Sequence, residues 1–149
     1  MNTRELGSIL NRLHHAEMRS LISSLARAGV FVSWASASGS LLFKKIIAEE
    51  RDARRWLVEL IDEIGEAPTP HQPDGSTTGL HYVDLELFLP LVVADKRRLL
   101  ARYAELSGKL AFHADAGDLA RRIVARHQEH IAQLEKLASP PASADTPAA

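Results

Sequence analysis

The stretch EAPTPHQPDGSTTG, residues 66–79, holds three prolines and two glycines and has no apolar periodicity, so it reads as a connection rather than a helix. Its length decides how its neighbours are joined. Before it, Ser40 to Ile64 places Leu42, Phe43, Ile46, Ala53, Leu57, Leu60 and Ile64 on one helical face, with Gly65 as a stop. After it, Leu80 to Leu106 predicts a third long helix, capped by Thr77 or Thr78 and kinked at Pro90. A helix of about 25 residues is ~37 Å long, and about fourteen extended residues reach ~46 Å. The connection is long enough to travel the length of a bundle, which predicts a crossover between the second and third helices.

Working outward, Thr3 to Ala28 repeats Leu6, Ile9, Leu10, Leu13, Leu21 and Leu25 at helical spacing, with Asn2 or Thr3 as N-cap. Gly29 and the Ser/Gly-rich SWASASGS, residues 33–40, end it. A fourth helix is expected from Asp118 to Ala138, after a loop containing Gly108 and Gly117. The expected fold is all-α: one antiparallel four-helix bundle over residues 1–138, followed by a low-complexity tail, SPPASADTPAA, over residues 139–149.

Composition narrows the chemistry. Lys and Arg number 18 against 19 Asp and Glu, so no overall field favours nucleic acid or an anionic membrane. No cysteine is present, which removes disulfides, thiol catalysis and thiolate ligands; a metal site has to be built from His, Asp and Glu. The polar start MNTRELGSIL has no apolar signal region and no apolar run reaches membrane-spanning length, so a cytoplasmic location is expected.

Polar residues fall where a core should be. On a wheel of ~100° per residue, Glu17 lies near the middle of the stripe set by Leu6, Leu10, Leu13 and Leu21. Glu50 lies within about 35° of the apolar centre of its helix, and Glu49 nearer the edge. His127 and His130, three residues apart, both face the direction of Ile123, Leu134 and Leu137. The third helix turns Leu85, Phe88, Val92, Leu99 and Tyr103 inward, with Asp84 and Asp95 on the shoulder. At ~1.5 Å rise per residue, Glu17, Glu50 and His130 come out at one level near mid-bundle, with Asp95 within about one turn. A lone buried carboxylate is costly, so this layer needs a cation, a metal or a raised pKa.

These residues resemble the ferritin-like carboxylate proteins, which include the rubrerythrin and bacterioferritin branches. The likeness runs from about residue 3 to 138 and is carried by Glu17, the EERDARRW stretch at residues 49–56, and the i, i+3 pair on the last helix. It implies a di-iron centre with a Glu from each of two helices and Glu-x-x-His from the other two. Glu17 then matches the first-helix ligand, Glu50 the Glu of the second-helix motif and His130 the His of the last. Ala53 stands where the second-helix His belongs, and His127 replaces the last-helix Glu. The working expectation is therefore a mononuclear or altered site for iron, zinc or manganese, with Glu17, Glu50, His127 and His130 as ligands and Asp95 nearby.

A plainer reading competes. Glu17 and Glu50 pair with an inward Arg54, Lys96 or Arg126 in a buried polar network, leaving a metal-free bundle of the same fold that works through dimerisation or partner binding. The short basic runs at Lys44–Lys45, Arg54–Arg55 and Lys96–Arg98 read as solvated faces, and no basic recognition helix is evident. His14 reads as a spare ligand at the stripe's edge, His15 as a surface residue, and His71 and His113 as loop residues without a role. LELFLPLVVA, Leu85 to Ala94, is apolar nearly all round, which predicts a homodimer interface there; it is too short to span a bilayer.

Overall fold

The computed structural model describes residues 1–27, 31–33, 37–70 and 82–138. The tail at 139–149, His71, His81 and the caps expected at Thr77 or Thr78 lie outside the described residues. Five helices, α1 (Thr3–Met18), α2 (Leu21–Arg27), α3 (Ala37–Glu63), α4 (Leu85–Leu110) and α5 (Ala114–Ala138), carry the fold. Two three-residue strands, β1 (Phe31–Ser33) and β2 (Tyr82–Asp84), pair in parallel, Phe31 opposite Tyr82. The class is all-α, and no helix among the described residues is long and apolar enough to cross a membrane.

The ends of the helices follow local chemistry. Asn2 caps α1 in a reciprocal box: its side chain accepts from the Glu5 amide at 2.8 Å, and Glu5 accepts from the Asn2 amide. α3 closes with Gly65 at φ 82°, where Gly65 N–H donates to Asp62 and Glu66 N–H to Ile61. This left-handed cap satisfies two carbonyls that would otherwise lack donors. His113 caps α5 by accepting from the Ala116 amide, which starts that helix four residues before the expected Asp118.

One break was not expected. The helix anticipated over Thr3–Ala28 stops at Met18 and restarts at Leu21. The Ser20 hydroxyl accepts from the Ser23 amide, as an N-cap does, and the first amide of α2, Leu21 N–H, donates to Asp95 on α4 at 2.8 Å. A carboxylate at a helix N-terminus also meets the positive end of its dipole. A side chain brought by a distant helix thus completes the break, so α1 periodicity alone could not reveal it.

The packing is α1 on α3, α4 on α5, α3 on α5 and α1 on α4. Two apolar clusters fill the interior. The first gathers Leu6, Ile9, Leu10 and Leu13 of α1, Ala53, Leu57, Leu60 and Ile61 of α3, Leu99, Tyr103 and Leu110 of α4, and Ala116 and Ile123 of α5. The second gathers Ile22 and Leu25, Phe43 and Ile46, Leu89 and Val92, and Leu134. Between them, on every helical segment, comes a buried polar step: Glu17 and Ser20, Glu50, Lys96, then His127 and His130.

After α3 the chain runs beside α1. Asn11, buried, donates from Nδ2 to the carbonyls of Gly7 (3.0 Å) and Ala67 (3.2 Å) and accepts at Oδ1 from the Thr69 amide (2.8 Å). His15, one turn on, meets Thr69 as well. A Cβ at Gly7 would come within 2.7 Å of the Glu66 side chain, so glycine is what lets the connection lie this close. Of the apolar run Leu85–Ala94, Leu89 and Val92 are buried in the second cluster, Phe88 and Val93 pack on it, and Pro90, Leu91 (55%) and Ala94 are exposed.

Candidate metal centre

The polar layer is buried. Glu17, Glu50, Lys96, His127 and His130 are each no more than 1% exposed. The rise-per-residue reckoning that put Glu17, Glu50 and His130 at one level agrees with their meeting here, joined by His127.

Glu50 is the most heavily satisfied group. Its Oε2 accepts from the Lys96 ammonium at 2.7 Å, and its Oε1 accepts from the hydroxyls of Ser20 and, at 2.8 Å, Ser23. The α1–α2 break is what presents those two hydroxyls. Arg54 donates to Ser23 Oγ at 2.6 Å from behind. Burial pushes the Glu50 carboxyl upward, but the Lys96 ammonium, the adjoining His127 and the hydrogen bonds donated by Lys96 and Ser20 outweigh it and bring it down to about 2. Glu50 is therefore a carboxylate at neutral pH.

His127 bridges the layer. An ammonium has donors only, so the Nδ1 that lies 3.1 Å from Lys96 Nζ carries a lone pair, and Nε2–H donates to Glu17 Oε1 at 2.8 Å. The Tyr103 hydroxyl donates to the same Glu17 oxygen at 2.8 Å. Burial and the neighbouring Glu17 push the Tyr103 phenol well above its ordinary value, so it remains a donor. Glu17 Oε2 has no hydrogen-bond partner among the described residues.

His130 repeats the pattern. Its Nε2 lies 2.8 Å from Glu49 Oε2, and its Nδ1, buried, has no partner among the described residues. Burial and the Lys96 charge drive the imidazole down to about 4 against the upward pull of Glu49, which leaves it neutral at pH 7. Nε2 then carries the proton given to Glu49, and Nδ1 holds an unused lone pair. The Glu49 carboxyl is lowered: its own burial raises it, and the His130 hydrogen bond and charge with Lys45 and Arg126 prevail.

Both imidazoles are thus anchored through Nε2 by a carboxylate from another helix, with Nδ1 turned away from that anchor. One ligand atom from each of Glu50, His127 and His130 lies within 4.8 Å of the others. Metal-binding histidines are held in this manner, the second ring nitrogen donating to a carboxylate that fixes tautomer and orientation. Two nitrogens and a carboxylate oxygen suit zinc, iron or manganese.

The ligand set read from sequence is redistributed. Glu50, His127 and His130 come together; Glu17 stands behind His127 as its anchor, and Asp95 is turned to the start of α2 and to Arg98, 3.5 Å away. Lys96, read both as part of a solvated run and as an inward partner of Glu50, is buried and takes the second part, whereas Arg97 and Arg98 beside it are exposed. Sequence reasoning did not give Glu49 its part, because it sits at the edge of the α3 stripe and reaches His130 only across the α3–α5 contact. No protein-family model, curated protein or solved structure matches the chain.

Proposed function

We propose that this chain is a ferritin-like, antiparallel four-helix bundle whose mid-height layer binds one divalent metal ion through Glu50, His127 and His130. The order of the two apolar clusters supports the topology: α1 and α5 meet the first cluster before the second, α3 and α4 the second before the first. Helices that run alike and are consecutive in sequence need a connection that returns along the bundle. The strand pairing of β1 with β2 and the hydrogen bonds of Ala67 and Thr69 to Asn11 fit such a crossover.

The single observation that carries the metal reading is the pair of carboxylate-anchored imidazoles converging with Glu50 in the buried core, one of them with a nitrogen that has no partner among the described residues. Charge points the same way. Glu50 faces the Lys96 ammonium while Glu17 faces only the Tyr103 hydroxyl and the His127 ring among the described residues, so an added cation favours the layer. A bound ion supplies Lewis acidity, and iron or manganese also supplies redox chemistry.

Elemental analysis after purification without chelator tests this. Near-stoichiometric metal is expected in the parent protein and none in His127→Ala/His130→Ala. Metal retained by that variant, or an empty parent protein whose melting does not respond to added zinc, iron or manganese, removes the reading.

A second reading rests on Lys96. Its ammonium already lies where a cation binds Glu50 Oε2 and His127 Nδ1, so the bundle is complete without metal and serves as a scaffold or partner-binding protein. In that case association through the outward Leu91 in the Leu85–Ala94 region is expected. Sedimentation tests it: a dimer that dissociates in Leu91→Glu supports the interface, and a monomer at high concentration rules it out.

A further inference from the structure

Beside the metal layer, α1 and α4 enclose an open, arginine-rich groove of about 420 Å³. Arg12 and Arg19 rise from α1 and Arg98 and Arg102 from α4, against only Asp95 and Glu105, in a protein whose net charge is −1. Arg12, Arg19 and Arg102 make no ion pair among the described residues, and Arg98 has only the 3.5 Å contact with Asp95. Arg55, Arg97, Arg121 and Arg126 are each paired with a carboxylate, but other arginines are not, and what sets the groove apart is that four arginines line it together. The floor between the arginines is apolar, made of Leu13, Ala16, Leu99 and Leu106.

By backbone level the four arginines fall into two pairs. The Leu21–Asp95 hydrogen bond fixes the level of α1–α2 against α4, and the two run in opposite directions past the same clusters. Counting ~1.5 Å per residue from that point puts Arg19 level with Arg98, and Arg12 within ~3 Å of the level of Arg102. The two pairs are ~6–10 Å apart along the groove. Each is a fork able to take a carboxylate or phosphate in a charge-assisted contact, and the volume lies within the usual range for a small ligand, about 300–1,000 Å³.

We infer that this groove binds a small organic dianion with an acidic group at each end and an apolar middle. Four arginines against two acids leave a surplus matching such a ligand's charge. The spacing of the pairs sets its length, and the leucine floor takes its chain. Ser20 lines the groove and donates to Glu50, so the ligand rests one side chain away from the buried layer. The inference stands on the arginines and the cavity and does not need the metal reading.

Calorimetric titration at low salt, with chelator present, tests it using adipate, suberate and sebacate as probes and octanoate as a singly charged probe as long as suberate. Saturable binding of at least one diacid is expected, with suberate at least about tenfold tighter than octanoate. Arg19→Ala/Arg98→Ala and Arg12→Ala/Arg102→Ala are each expected to weaken the diacid at least about tenfold while leaving the helical circular dichroism unchanged, since all four side chains are exposed. Absence of heat from every diacid, equal binding of octanoate and suberate, or affinity that survives both double substitutions overturns the proposal. Capture of an acidic peptide without any diacid binding overturns it too.

Discussion

Replacing Lys96 by methionine is expected to lower the stability of chelated protein by about 3–5 kcal/mol and to raise its affinity for zinc at least about tenfold. The substitution keeps most of the volume and removes the charge. Glu50 would keep its hydroxyl partners, Ser20 and Ser23, but lose the Lys96 ammonium, and His127 Nδ1 would lose its donor. Breaking one half of a buried pair leaves an uncompensated charge, which costs more than the intact pair contributes. The same act opens the cation position, because ammonium and metal need the same oxygen of Glu50 and the same imidazole lone pair.

Thermal melts with chelator and with added zinc read both effects. An unchanged midpoint in chelator would show that Lys96 does not compensate Glu50. A destabilised variant that zinc does not restore would sink the metal reading and keep the built-in cation. Pairing Lys96→Met with Glu50→Gln should recover part of the loss, since the two groups act on each other directly and their effects should not add.

The second large effect is acid lability. His130 is held at about 4 in the folded chain against an ordinary 6.5, so the unfolded chain takes up its proton first on acidification. Stability then falls as pH drops from about 6.5 towards 4 and levels off below that for this group. Glu50, at about 2 against an ordinary 4.5, continues the decline from about 4.5 towards 2. Each full shift corresponds to ~3 kcal/mol as an order of magnitude. Denaturant melts of chelated protein at successive pH values measure this directly. Constant stability from neutrality down to pH 4 would mean that the His130 imidazole is not held neutral, and the description of its free nitrogen would fail.

Much of this layer could be read before the structure, and the reason is geometric. Glu17, Glu50, His127 and His130 lie on the apolar stripes of long helices, where a wheel fixes direction and a constant rise fixes height. Reach is what a wheel omits. Periodicity left Lys96 one of three inward candidates beside Arg54 and Arg126, and only its four-carbon stem, which carries the charge inward while Arg97 and Arg98 stay in water, singles it out. Glu49 sits at a stripe edge and becomes useful only because α5 brings His130 to it. The division of labour between ligand and anchor was likewise beyond sequence, because it depends on which ring nitrogen faces which carboxylate.

The helices follow the same rule. Their apolar faces were legible from periodicity, but the interruption at Arg19 and Ser20 depends on Asp95, seventy-four residues from the amide it accepts. The expected third-helix start at Leu80 gives way to Leu85, with residues 82–84 drawn into the strand pair. Backbone pairing with Phe31–Ser33 competes with local helix propensity there, and only the folded chain brings those partners side by side.

The two greasy halves of the interior meet across one charged seam, and that seam acts as a vernier. Slide any helix a turn along its neighbours and a leucine arrives opposite a carboxylate while a charge is pushed into hydrocarbon, so wrong alignments are penalised at the centre even where every apolar stripe still faces inward.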